Sequence, residues 1–167
     1  MRSPEEAIAM YRHEYAPRTP EQERGIQFHK KVELEIKANN KVSIGKTHLV
    51  FDKPECEKKV YIPYNEFVTL SAVFDCVDGD TIYDWKTGNG RSAMEYGTSL
   101  QIPFYFFVLE KMGQHMKRGY IVHWDFDKEV SSLVSIPNSK KKLEQGENLI
   151  QTLSMEVWEY FNKHNVL

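Results

Sequence analysis

Polar and apolar positions change their period along the chain, and the changes mark the elements. Two helix starts come first. Ser3-Pro4-Glu5-Glu6 joins an N-cap, a proline at the first helical position and a capping-box glutamate. Thr19-Pro20-Glu21-Gln22 repeats the arrangement after a break around Pro17. Ile26, His29, Val32 or Glu33, and Ile36 then recur at helical spacing, predicting a helix to about Lys37 that Asn39-Asn40 ends. Next the β-branched and aromatic content rises. Residues 42–51 and 59–64 read as strands separated by the polar turn Asp52-Lys53-Pro54-Glu55. Residues 69–77 and 81–87 read as a hairpin around Asp78-Gly79-Asp80. After Gly88-Asn89-Gly90, Ser92 and Glu95 form a further capping box, opening a helix to Lys111 or Met112 that Pro103 kinks or deprives of one hydrogen bond. Residues 120–126 read as another strand. From Ser139, an amphipathic helix carries Leu143, Ile150, Leu153, Val157 and Phe161 on its apolar stripe. Helices, a strand meander, then helix–strand–helix predict one α+β (mixed α/β) domain over residues 1–167.

Composition agrees with that picture. In 167 residues, 41% are hydrophobic and 28% charged, the balance of a globular chain with a core. No apolar run approaches the ~20 residues of a membrane span, and the acidic N-terminus does not read as a signal peptide. The expected setting is a reducing compartment such as the cytoplasm, with no membrane partner. Two cysteines, Cys56 and Cys76, are too few for a four-thiolate zinc or iron–sulfur site. Gly88-Asn89-Gly90 carries neither a dinucleotide fingerprint nor a P-loop lysine.

The chemistry concentrates in the Asp78-Gly79-Asp80 hairpin. With a turn over residues 78–81, Val77 pairs with Ile82, and Asp75 lies opposite Asp84 with Lys86 on the same face. A two- or three-residue loop offsets the aspartates instead. The other face then receives Leu70, Ala72, Phe74, Tyr83 and Trp85 as core. Like charges opposed in a sheet repel, and a divalent cation held by carboxylates and a backbone carbonyl offsets that repulsion. A neighbouring lysine then serves water activation or phosphate charge. Taken alone, an Asp-x-Lys strand also describes a surface ion pair.

Asp75-x8-Asp84-x-Lys86, followed by Gln101-x3-Tyr105 and preceded by Gly25-x3-His29-x3-Glu33, resembles the PD-(D/E)XK nuclease superfamily in its RecB-like exonuclease branch. Asp84-Trp85-Lys86-Thr87 is similar to the tetrapeptide of mitochondrial genome-maintenance exonucleases. The resemblance spans residues 25–105, about half the chain. It implies a restriction-endonuclease-like core, a central mixed β-sheet flanked by helices. It implies Asp75, Asp84, His29 and the Trp85 carbonyl as metal ligands, and Lys86 as the catalytic lysine. Gln101 would hold the lysine or the substrate, and Tyr105 would contact a phosphate or the DNA strand. Mg²⁺ or Mn²⁺ is the implied cofactor. Ala72 replaces the glycine often found before the first aspartate, and the two cysteines exclude the iron–sulfur version of the branch.

The function implied is a metal-dependent deoxyribonuclease, an exonuclease on single-stranded or frayed ends in replication, recombination or repair. Proteins of those processes are the implied partners. A structure-specific endonuclease and an inactive nucleic-acid-binding module are the alternatives. Arg91, with the amides of the Ser92 helix, and Lys30, beside His29, are further substrate-binding candidates. Glu33 reads as a partner of His29 or as a surface charge. Glu55, Glu57 and Glu66 read as solvated residues of loops and an early strand, with one of them a further candidate to assist the metal site, and His48, His115 and His123 as structural or surface residues.

Overall fold

The computed structural model describes residues 17–89 and 92–164. The helix expected at Ser3 and the candidate Arg91 lie outside them. Thr19 caps the first helix, α1 (Pro20–Asn39), by a reciprocal capping box with Gln22, and Asn40 ends it in a left-handed conformation. Val32 and Ile36 are its buried residues, whereas Ile26 at the head of the expected stripe is 41% exposed.

The single strand expected over 42–51 is instead a small hairpin, β1 (Lys41–Ile44) and β2 (Thr47–Val50), turning at Gly45. Gly45 has φ +56°, and a Cβ there would meet the Trp124 ring at 2.7 Å. Ser131 Oγ receives the amides of Lys46 and Thr47, pinning the hairpin tip to the main sheet. Gly45→Ala combines left-handed strain with that clash. It is expected to lower the thermal midpoint by roughly 3–8 °C in a melting experiment; an unchanged midpoint would show that the tip is not seated there.

Five strands form the main sheet in chain order: β3 (Glu55–Pro63), β4 (Thr69–Asp78), β5 (Thr81–Thr87), β6 (Arg118–Asp125) and β7 (Val130–Pro137). All neighbours are antiparallel except β5 and β6, which are parallel. That parallel step requires a crossover, made by α2 (Ala93–Gly97) and α3 (Gln101–Lys111). One continuous helix was expected there; the chain breaks at Thr98-Ser99-Leu100. Pro103 consequently falls in the first turn of α3, where its missing N–H costs no helical bond. The last helix, α4 (Lys140–His164), packs on α3 so closely that a Cβ on Gly146 would lie 2.3 Å from the Pro103 carbonyl. Among the described residues, no helix is long and apolar enough to cross a membrane.

The sheet has a core on each face. Ile82 and Ile121 point into one with Phe106, Leu109 and Ile150 of α3 and α4. Tyr83, Trp85 and Val122 point into the other with Val32 and Ile36 of α1 and Val42 and Ile44 of β1. Leu70, Ala72 and Phe74 belong to the first core, so they do not share a face with Tyr83 and Trp85 as expected. Strict alternation would carry Cys76 to the same side as Phe74, yet Cys76 lies in the second core. In β3, Val60 packs in the first core and Cys56 against the second. Both strands therefore reverse their facing together, β4 at Asp75 and β3 at Glu57, whose φ is +53°. Free cysteines Cys56 and Cys76 form a directly opposed pair beside this reversal.

Candidate active site

The expected hairpin register is present: Asp78 pairs with Thr81, Val77 with Ile82 and Cys76 with Tyr83. Continued by one step, it sets Asp75 against Asp84. The ladder stops there, because the Asp75 side chain takes the place of the next rung. Its Oδ2 accepts the Trp85 N–H at 2.7 Å. A strand residue's N–H and C=O point to the same side, so the Trp85 carbonyl also faces the gap between β4 and β5, consistent with a ligand role. Asp75 Oδ1 lies 3.5 Å from His29 Nδ1 on α1.

Glu57 completes this group. The flanking pairs Cys56–Cys76 and Lys58–Phe74 place it across from Asp75. Ligand atoms of His29, Glu57 and Asp75 lie within 4.8 Å of one another. One imidazole nitrogen and two carboxylates fit a divalent ion, with the nitrogen favouring a transition metal such as Mn²⁺ over Mg²⁺. The expected ligand set named Asp84 where the structure brings Glu57. Asp84 is 1% exposed and faces Lys86, whose Nζ is 2.7 Å from Oδ2.

Burial and mutual repulsion act on the acids of this group. Burial pushes the Asp84 carboxyl up to about 6 against the pull of Lys86, and Asp75 adds to the rise. Burial and the charges of Asp75 and Glu33 push Glu57 up as well. For His29, burial favours the neutral ring, but the hydrogen bond and charge of Asp75 outweigh it and raise its pKa. A divalent ion relieves the carboxylate repulsion by charge alone.

The remaining candidates divide. Gln101 Nε2 donates to the Tyr105 hydroxyl, which donates to the Val73 carbonyl, each at 2.8 Å. Tyr105 is buried against Phe74, so its hydroxyl is committed to the protein and does not serve as the expected phosphate or strand contact. Together Gln101 and Tyr105 tie α3 to β4 two residues before Asp75. Lys30 is exposed and lies about 100° around α1 from His29, so it is turned away from the group. Glu33 pairs with Lys37. His123 is buried, 3.0 Å from the Gly88 carbonyl and against the Tyr96 ring, a structural residue as expected. The sequence reading did not single out Glu57 from Glu55 and Glu66, because its strand was expected to begin at Lys59. The signal was the turn at Asn65, whose side chain receives the amides of Phe67 and Val68; counting back along that hairpin sets Glu57 opposite Asp75.

Comparison with known proteins bears on the family and the fold. The family model of the PD-(D/E)XK nuclease superfamily matches residues 3–164. Among solved structures, the crystal structure of SSO0001 superposes with a TM-score of 0.59 at 13% identity, covering 91% of this chain and 71% of that one. An alkaline exonuclease (LHK-Exo) from Laribacter hongkongensis gives 0.49 at 13% identity, covering 98% and 83%. LHK-Exo in complex with dAMP gives 0.47 at 12% identity, covering 90% and 76%. No curated protein matches the chain. At such identities the SSO0001 likeness speaks for the fold alone, a mixed sheet flanked by helices. The family match spans nearly the whole sequence and all the motif residues, and the chain belongs to the PD-(D/E)XK nuclease superfamily.

Proposed function

We propose that the protein is a divalent-metal-dependent deoxyribonuclease acting as an exonuclease on single-stranded or frayed DNA ends. One observation carries the reading: the Asp75 carboxylate interrupts the β4–β5 ladder, grouped with His29 and Glu57 and next to the ion pair of buried Asp84 with Lys86. His29, Glu57, Asp75 and the Trp85 carbonyl would hold the ion, with Asp84 joining as its carboxyl ionises. Bound Mg²⁺ or Mn²⁺ supplies positive charge to a phosphodiester under attack. Lys86 is the protein's own contribution at that point. Its ammonium, released from Asp84, donates to a phosphate oxygen or orients the attacking water. Gln101 and Tyr105 fix β4 so that Asp75 stays in the gap. Exonuclease action and a role in replication, recombination or repair rest on the motif resemblance, as does the expectation of protein partners from those processes.

The experiment is hydrolysis of end-labelled linear single-stranded DNA with Mg²⁺, Mn²⁺ or EDTA, beside a circular single-stranded substrate. Wild type is expected to degrade the linear DNA with either metal, to fail in EDTA and to leave circles intact. Asp75→Ala is expected to lose about 10²-fold or more. Cleavage of circles makes the enzyme an endonuclease. An inert wild type, or an undiminished Asp75→Ala, overturns the reading.

A further inference from the structure

A groove of about 510 Å³ opens between α1, the tip of the β1–β2 hairpin and the end of β6. Arg24, Phe28, Lys31, Glu35, Trp124 and Phe126 give it its character. The Arg24 guanidinium lies 4.3 Å from the centre of the Phe126 ring, and Phe28 meets the same ring edge-on at 6.0 Å. Arg24 makes no ion pair among the described residues, and neither does Lys31 on the same helix face. Glu35 is the one acid in the lining.

The groove and the candidate ligand His29 lie on different faces of the same helix, α1. Phe28 lines the groove and lies 6.3 Å from the ring of His29, the next residue. Gly25 packs so tightly on β5 that an added Cβ would sit 3.0 Å from Thr87 Oγ1, one residue past Lys86. The floor is fixed by the hairpin tip, which Ser131 anchors and Trp124 backs.

We infer that this groove binds a segment of single-stranded DNA running to the scissile phosphate, its bases stacking on the Arg24–Phe126 pair and its phosphates meeting Arg24 and Lys31. The inference rests on the nuclease reading and specifies where its substrate strand lies. Flat aromatic and guanidinium surfaces accept any unpaired base, and basic groups beside them track the backbone. A paired base offers no free face to such a platform, so duplex DNA is excluded from it.

The test is fluorescence anisotropy of labelled oligothymidylate and of a blunt duplex in EDTA, where no cleavage occurs. Phe126→Ala is expected to weaken oligothymidylate binding 5- to 100-fold and Arg24→Glu at least as much, with duplex affinity unchanged. Glu35→Gln is expected to tighten binding. Arg24→Ala should make the salt dependence of log K shallower by about 0.7. Arg24, Lys31 and Glu35 are surface groups, so their variants test the groove even where Phe126→Ala fails to fold. If wild type cleaves DNA while these variants bind and cleave like wild type, the groove assignment falls and the nuclease reading stands. If wild type cleaves nothing with Mg²⁺ or Mn²⁺ yet binds oligothymidylate through these residues, the nuclease reading falls and the groove stands. Absence of oligothymidylate binding by wild type overturns the groove assignment.

Discussion

Asp84→Asn is expected to abolish DNA hydrolysis and, in EDTA at pH 8, to make the protein melt at a higher temperature than wild type. Asp84 is 1% exposed, and burial pushes it up to about 6, whereas an unfolded aspartate titrates near 3.9. A carboxyl whose folded pKa is raised contributes its stability at low pH and loses it as pH climbs through the folded value. The loss therefore runs between about pH 4 and pH 6 and is complete at pH 8. Its size is on the order of 3 kcal/mol, or several degrees of midpoint. Asparagine keeps the shape and carries no charge, so it removes the penalty. Melting curves of the two proteins should converge below pH 4, and Mn²⁺ should stabilise wild type more than the variant. A variant that melts below wild type in EDTA at pH 8 would show that the ionised Asp84 is no liability to the fold. Retained hydrolysis would remove Asp84 from the site.

Lys86→Met should cut hydrolysis by about 10²- to 10⁴-fold while leaving the fold and metal-free oligothymidylate binding nearly intact. Methionine keeps the aliphatic stem and removes the ammonium that lies 2.7 Å from Asp84 Oδ2. Lys86 is also the foremost influence holding the Asp84 pKa down. Without it, the carboxyl binds its proton more tightly. The fall in metal-free stability with rising pH should then move to higher pH than in wild type, as thermal melts across pH 4–9 will show. Hydrolysis within tenfold of wild type would strip Lys86 of a catalytic role, whatever its place in the motif.

The β4–β5 hairpin was legible because its tight turn over residues 78–81 admits few registers, and the one present brings Asp75 to Asp84. Capping boxes at Thr19 and Ser92 announced helix starts for the same local reason. What stayed hidden depends on contacts between distant segments. Strand β7 is Val-Ser-Ser-Leu-Val-Ser-Ile-Pro, an edge strand whose weak alternation only its pairing with β6 organises. The break between α2 and α3 follows Gly97, where an added Cβ would come within 3.3 Å of Val134 on that same strand. The i, i+4 spacing of Gln101 and Tyr105 showed a shared face but not its direction, and the face looks inward. Glu57 needed both the register of β3 on β4 and a left-handed residue inside a strand, which no periodicity announces.

The paired reversal at Glu57 and Asp75 has a wider consequence for reading strands. Regular alternation keeps a polar side chain either in solvent or inside one layer, where it displaces packing. A phase slip offers a third location, in the plane of the sheet between two layers, reachable from both. Along β4 the slip leaves a visible trace: Leu70, Ala72 and Phe74 are buried at every second position, and then Cys76 and Val77 are buried side by side. An acidic residue just before such a doublet marks where the backbone crosses from one layer to the other. There a carboxylate can be held without a hole in either core.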